Sequence, residues 1–486
     1  NVLQREGMLP KDVVEVLHLL RRSRNKAVHD DWGDAATAGD FLPIVHSLTG
    51  WFARAYGPPG LEPPAYVVPS SKIAEEEAES LERSEPELIV ADEEKAAAAR
   101  PVTTADRKKR AEEAANQRPR TEAETRLLID EQLRQIGWEA DTVNLRYSKG
   151  ARPTAGKAMA IAEWPTDSAL GTGGTRGFAD YALFLDRKLM AVVEAKAIHK
   201  DVPSVLDYQA KDYAQTIKEE HLNLTSGIWG DYQVPFIFAT NGRPYLEQYK
   251  TKSGIWFRDT RDAANAPKAL RGWYSPAGLK EAFLADTIGA ASTLAALGDD
   301  LLVDPNGLNL RDYQVKAIRA VEAEIAKGKT HALLAMATGT GKTRTVLGMI
   351  HRFLKTERFR RILFLVDRTS LGDQATDTFK DVKLEELMTL DELYSIEGLE
   401  GAGTDPWTRV QVSTVQGMVK RLFYPEDGTK PAVSDYDLVI VDEAHRGYLL
   451  DKEMSDDESL YRDQRDYQSA YRSVIDYFDA TKIALT

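Results

Sequence analysis

The spacing of apolar residues changes several times along the chain. Val13, Val14, Val16, Leu17, Leu19 and Leu20 fall at helical intervals, as do Ile44, Val45, Leu48, Trp51 and Phe52. Two helices are predicted there, and the prolines at 58, 59, 63 and 64 close the segment. Residues 70–120 are rich in Glu, Ala, Lys and Arg and lack a strong apolar stripe, which predicts a solvated helical linker. Thr121 opens another helical pattern, with Leu127, Leu128, Ile129, Leu133 and Ile136 apolar and Gly137 as its stop. Residues 178–195 switch to β-rich runs around a polar turn. Residues 263–305 read as a helical connector. From Leu310 onward apolar strands alternate with helical stretches, with strands expected at 332–336, 362–366, 410–413 and 437–441. That alternation predicts a parallel α/β sheet. The expected layout is a multidomain α/β chain: a helical domain over 1–57, a linker over 58–120, a mixed α/β unit over 121–262, the connector over 263–305 and a parallel-sheet lobe over 306–486.

Composition narrows the chemistry. A chain of 486 residues is too long for one core. It has no cysteine, which excludes disulfides, thiolate catalysis and cysteine-ligated zinc. No apolar run is long enough to span a bilayer and no signal peptide opens the chain, so a cytoplasmic protein without membrane contact is expected. The net charge of −13 disfavours nucleic-acid binding by the surface at large, but not by a local basic groove. The first residue is Asn1, which leaves room for a natural N-terminus further upstream.

One candidate site lies in the β-rich runs. Gly177-Phe-Ala-Asp180-Tyr-Ala-Leu-Phe-Leu185 and Leu189-Met-Ala-Val-Val-Glu194-Ala-Lys196 flank the polar turn Asp186-Arg187-Lys188. A hairpin centred on Arg187 gives paired residue numbers that sum to 374 and sets Asp180 opposite Glu194. Glu194 and Lys196 are two apart, on one sheet face. Two carboxylates and a lysine suit Mg²⁺ held beside a phosphodiester, with Asp180 and Glu194 as metal ligands and Lys196 steadying the nucleophile or the developing charge. A later helix carries Gln209 and Tyr213 four apart, hence on one face. Together these residues resemble the PD-(D/E)xK nucleases, in the branch that adds a Gln-xxx-Tyr motif, although Ala179 stands where the name has proline. The resemblance implies a further glutamate on the first helix of the unit; Glu122 is the choice, with Glu124 a rival. Arg24 and His29 resemble the motif of HEPN-type helical domains, some of which cleave RNA. A polar network at a helix junction accounts for them more simply.

A second candidate site follows the strand at 332–336. Ala337-Thr338-Gly339-Thr340-Gly341-Lys342-Thr343 is a glycine loop leading into a helix. Glycines let backbone N–H groups approach phosphates, and the helix N-terminus favours negative charge. Lys342 is placed to reach the terminal phosphates and Thr343 to ligate Mg²⁺. Met336 replaces the first glycine of the general P-loop pattern, and the heptapeptide instead resembles motif I of superfamily 2 helicases and translocases. Downstream, Asp437-Leu-Val-Ile-Val-Asp442-Glu443-Ala-His445 is an apolar strand ending in acids. It sets Asp442 to hold Mg²⁺ through water and Glu443 to activate the attacking water. By the same resemblance Gln314 pairs with adenine, His445 couples the nucleotide to DNA, and Arg368, Thr414 and Gln416 touch the DNA backbone. ATP and Mg²⁺ are the expected cofactors.

A PD-(D/E)xK nuclease followed by the first RecA-like lobe of a superfamily 2 motor resembles the restriction subunit of type I restriction-modification enzymes. Type III subunits carry the nuclease after the motor, and UvrB-like repair motors lack it. The resemblance implies duplex DNA as substrate and methyltransferase (modification) and specificity subunits as partners. A repair or defence helicase-nuclease without such partners is the alternative, and a scaffold with dead sites a third reading. The pattern ends at Thr486, ahead of the second lobe that the resemblance implies, so the segment is expected to bind ATP but to hydrolyse it poorly by itself.

Overall fold

The computed structural model describes residues 8–10, 13–14, 16–21, 24, 35–58, 61, 63–64, 104–118, 122–168, 177–195, 202–242, 251, 253–337, 339–366, 377, 391, 394–397, 408–423, 430–445 and 471–486. Side chains at 35–40, 104, 116–117 and 122–123 are excepted. Thr338, Lys196, Arg368, His29 and the Glu122 side chain lie outside this description.

Helix α1 (Ala35–Tyr56) buries Ile44 and Trp51, while Val45 and Phe52 face outward. Helix α2 (Thr104–Gln117) departs from a solvated linker. Its Ala111, Ala114 and Ala115 pack on Val13, Trp51 and Ala55, and Trp51 Nε1 donates to the Ala111 carbonyl at 3.0 Å. Alanines score weakly as an apolar stripe, but they let a large aromatic ring approach the helix closely. Helix α3 (Glu122–Gln135) sets Leu127 and Leu128 against Val16, Leu19 and Ile44, joining the helical part to the mixed α/β unit.

The first sheet has the order β1 (Glu139–Ala140), β2 (Ala158–Pro165), β3 (Phe178–Leu185), β4 (Lys188–Ala195), β5 (Phe236–Thr240), β6 (Ile255–Asp259) and β7 (Lys268–Leu270). It is mixed: β1–β2 and β4–β5 are parallel and the other pairs antiparallel. The sheet runs on to Leu270, beyond the expected limit at 262. The β3–β4 hairpin keeps the expected register by another route. Its turn is two residues long, with Leu185 opposite Lys188 and Asp186 at φ 56°, and a bulge between Leu183 and Phe184 restores the pairing of Tyr181 with Val193. That register, extended by one position past the ladder's last pair, sets Asp180 opposite Glu194.

The second sheet has the order β10 (Ile396–Glu397), β11 (Val410–Thr414), β9 (Ile362–Val366), β12 (Leu438–Val441), β13 (Thr481–Leu485) and β8 (His331–Leu334). All of these pairs are parallel. One face carries helices α4 (Asp312–Ala326) and α5 (Lys342–Lys355) over Ile318, Val346, Ile350, Phe364 and Ile440. The opposite face, with Leu363, Leu365, Val439 and Val441, shares one core with the first sheet through Trp273, Tyr274 and Leu279. Among the described residues no helix is long and apolar enough to cross a membrane.

Candidate functional sites

At the end of the β3–β4 hairpin, Asp180 and Glu194 are both buried, at 7% and 2% exposure. Asp180 Oδ2 accepts from the Ala195 backbone N–H at 2.7 Å, which ties the two strands together at this rung. Asp180 Oδ1 accepts from the Arg126 guanidinium of α3, also at 2.7 Å. Tyr213 is buried nearby, and burial, then the negative charges of Glu194 and Asp180, push its phenol well above its ordinary range. Gly177 allows this closeness, since a Cβ there would meet Ser168 at 2.7 Å and the Tyr213 ring at 3.0 Å. Gln209 is half-exposed in a π-helical turn, Leu206–Ala210, one turn before Tyr213. Such turns recur at functional sites.

Asp180, Glu194 and Tyr213 are therefore brought together. Glu124 is not part of the group: Arg118 clamps its carboxylate at 2.5 and 3.1 Å, with both side chains fully buried. Glu122 begins the same helix. Sequence reasoning missed Arg126, which also donates to Glu163 at 3.2 Å, and Arg146, 3.4 Å from that same carboxylate. The signal that could have found them was Glu163 itself, the lone charge in the otherwise apolar strand Ala158–Pro165. Among the described residues no three or more His, Asp or Glu side chains surround a common point. Two carboxylates nonetheless fit Mg²⁺, which is commonly held by one or two, with water and phosphate completing its shell. A cation, the Arg126 guanidinium, already sits on one of them.

The second site occupies the carboxyl ends of β8 and β12. Gly339 and Gly341 adopt φ of 80° and 82°, the left-handed region open to glycine, and α5 starts directly at Lys342. Lys342 Nζ lies 2.7 Å from Glu443 Oε1. Glu443 is itself left-handed at φ 48°, a conformation that costs a non-glycine residue about 1 kcal/mol or more. Asp442 accepts from the Glu443 backbone N–H at 2.9 Å, and burial, then the Glu443 charge, raise its carboxyl above the ordinary value. Thr343 is half-buried in the first turn of α5. His445 Nδ1 stands 3.4 Å from Glu443 and 3.0 Å from the Thr486 hydroxyl.

Two of the candidates at this site are engaged within the protein. The Gln314 amide bonds neighbouring protein groups. Its Nε2 donates to the Thr340 and Gly341 carbonyls at 3.2 Å and to the Thr345 hydroxyl at 3.1 Å, and its Oε1 accepts from the Arg311 N–H. Both polar atoms of that side chain are thus turned onto the start of α4, the glycine loop or the first turn of α5. Thr414 caps helix α6 (Val415–Phe423), accepting from the Gly417 N–H at 3.0 Å. Gln416 is half-exposed in that helix's first turn.

A mixed sheet carrying two buried acids packs against a parallel sheet carrying a glycine loop, two α/β units on one chain. Comparison with known proteins agrees. Residues 139–283 match the family model "Type I restriction enzyme EcoKI endonuclease subunit second domain", and residues 307–486 match "Type III restriction enzyme, res subunit". The chain is 44% identical over 392 residues to the type I restriction enzyme EcoKI endonuclease subunit of Escherichia coli (strain K12), covering 75% of this chain and 32% of that one. It is 30% identical over 306 residues to the EcoAI endonuclease subunit of Escherichia coli, covering 61% and 31%. A fragment structure assigned to an HsdR subunit from Vibrio vulnificus YJ016 aligns at 23% identity and TM-score 0.24, covering 76% of this chain and 55% of that one. The chain belongs to the family of type I restriction endonuclease subunits, and it spans about a third of the length of the curated relatives it matches.

Proposed function

We propose that this chain carries the DNA-cleaving site and the first ATP-binding lobe of a type I restriction endonuclease. In this reading it acts on unmodified duplex DNA together with modification and specificity subunits. The observation that carries it is the pairing of two built sites on one chain: Asp180 with Glu194 at a hairpin end, and Lys342 with Glu443 at the ends of two parallel strands.

In the nuclease unit Asp180 and Glu194 would hold Mg²⁺, which when bound supplies an acidified water and positive charge beside the phosphate. Lys196, Gln209 and Tyr213 would orient the phosphodiester and the attacking group, and Glu122 would add a carboxylate from α3. In the motor unit the N–H groups of 339–343 bind phosphate, and Lys342 leaves Glu443 for the terminal phosphates. Glu443, freed of that ion pair, takes the proton of the attacking water. Thr343 and Asp442 are the metal-side groups. Arg368, Thr414 and Gln416 are the DNA-side candidates, with Thr414 the weakest because its hydroxyl already caps a helix.

The test uses the full-length enzyme assembled with its partner subunits. Asp180→Ala should abolish Mg²⁺-dependent nicking of supercoiled DNA while ATP-driven translocation continues. Lys342→Ala should abolish translocation. Parent-like cutting by the first variant, or parent-like translocation by the second, removes the corresponding half of the proposal.

A further inference from the structure

Arg126 lies between two acids that the strand ladder places side by side. The flanking pairs Ala162–Tyr181 and Trp164–Ala179 set Glu163 of β2 directly opposite Asp180 of β3. The Tyr181–Val193 register, extended by one position, sets Glu194 of β4 on the other side of Asp180, which aligns three acids across three strands. Glu163 holds this place with φ 53°, a left-handed residue inside a strand. Its carboxylate and that of Asp180 receive two different nitrogens of one guanidinium, at 3.2 and 2.7 Å. Arg146 Nη1 stands 3.4 Å from the same Glu163 Oε1 that Arg126 reaches. Because Asp180 Oδ2 is already bonded to the Ala195 N–H, Oδ1 is the oxygen that both Arg126 and a divalent cation would claim.

We propose that Arg126 is a resident counter-cation of the nuclease site, displaced when a divalent ion binds Asp180, and that Glu163 is the carboxylate that retains it. This rests on the reading of Asp180 and Glu194 as metal-side groups. A guanidinium and a divalent cation repel each other on one oxygen, so ion binding must move the arginine. The fork geometry of arginine lets it release one acceptor while holding the other. Arg126 thereby sets divalent-ion affinity as a positioning residue. Glu163 acts through Arg126, lowering the cost of its departure.

The two residues consequently have opposite effects. The experiment is Mn²⁺ titration calorimetry on the whole, nucleotide-free chain, with Fe²⁺-dependent hydroxyl-radical backbone scission to locate the ion at the hairpin. Arg126→Gln should bind Mn²⁺ about tenfold more tightly, the fold-change expected when one charged hydrogen bond no longer competes. Glu163→Gln should bind several-fold more weakly, the double variant should match Arg126→Gln, and Arg126→Lys should return toward the parent. A merely structural role for Arg126 would weaken binding instead. Unchanged or weaker binding by Arg126→Gln, or tighter binding by Glu163→Gln, overturns the proposal. Should Arg126→Gln fail to fold, by its circular-dichroism melt, the contrast of Glu163→Gln with Arg126→Lys decides on the same criteria. Asp180→Ala separates the two levels. If it keeps parent-like Mn²⁺ affinity and hairpin scission, the nuclease reading itself fails. If it loses both while Arg126→Gln behaves as parent, only the counter-cation fails.

Discussion

Gln314 shows how one side chain changes meaning when its surroundings are known. The sequence places a glutamine upstream of a phosphate loop, a position that by resemblance reads adenine. The fold turns its amide onto the loop's own carbonyls and Thr345. No spacing rule conveys that, because rotamer and loop conformation are set together: a Cβ on Gly341 would stand 2.8 Å from the Gln314 amide nitrogen. Gln314→Ala should therefore weaken binding of ATP and GTP alike, by about three- to tenfold for the loss of a brace worth about 1 kcal/mol. Fluorescent-nucleotide competition checks this, and a selective loss of ATP would restore the adenine contact. The positions of the acids are easier to read from the sequence than their partners. Asp180, Glu194, Asp442 and Glu443 all border apolar runs, and a charge at the end of a buried strand has few places to go.

At the scale of elements, four of the six parallel strands are legible within one or two residues, since continuous apolar runs of four or five have few alternatives, whereas β10 and β13, short or mixed in polarity, are not. The hairpin register was also legible, although the two-residue turn and its compensating bulge were not. Helix α2 was misjudged because alanine contributes closeness rather than bulk. The Arg118–Glu124 pair shows what joins α3 to the helical part, with Arg118 Nη1 also donating to Ser47 at 2.8 Å. Arg118→Ala leaves a buried carboxylate alone and should lower stability by about 3–5 kcal/mol in urea denaturation. Replacing both partners with leucine should recover much of that loss. Asp130 of α3 supplies a pH signature. It accepts from the Thr142 N–H and the Tyr181 hydroxyl, and burial raises its carboxyl to about 6. The folded state thus holds this proton more tightly than the unfolded chain does. Its contribution is full below pH about 4 and is lost as pH climbs to about 6. Asp130→Asn should remove about one proton from the slope of stability against pH in that window, as urea midpoints at successive pH values would report.

Across the whole molecule, the segment 268–279 binds the two sheets. The Tyr274 hydroxyl donates to Asp479, Lys268 Nζ reaches the same carboxylate at 2.7 Å, and Trp138 donates to the Tyr274 carbonyl at 2.9 Å. Ser275 adds a backbone bond to Ser434 at 3.1 Å. Burial, then the Asp479 charge, push the Tyr274 phenol far above its ordinary range, so it remains a donor. The parent should melt through one calorimetric transition spanning both sheets. Asp479→Ala, which strips the buried Tyr274 hydroxyl and the exposed Lys268 ammonium of their acceptor, should cost about 1–3 kcal/mol and split that transition into two. Nothing in the sequence marked this joint, because its partners lie some two hundred positions apart and belong to separate local patterns.

The shared core also bears on mechanics. Asp479 lies two residues before β13, the strand between those carrying the phosphate loop and the Asp442–Glu443 pair. In the proposed function, any load that DNA placed on one sheet would pass to the other through closely packed aromatic rings rather than a pliant tether. The cutting edge would then travel at a constant offset from the engine, like a tool bolted to its carriage.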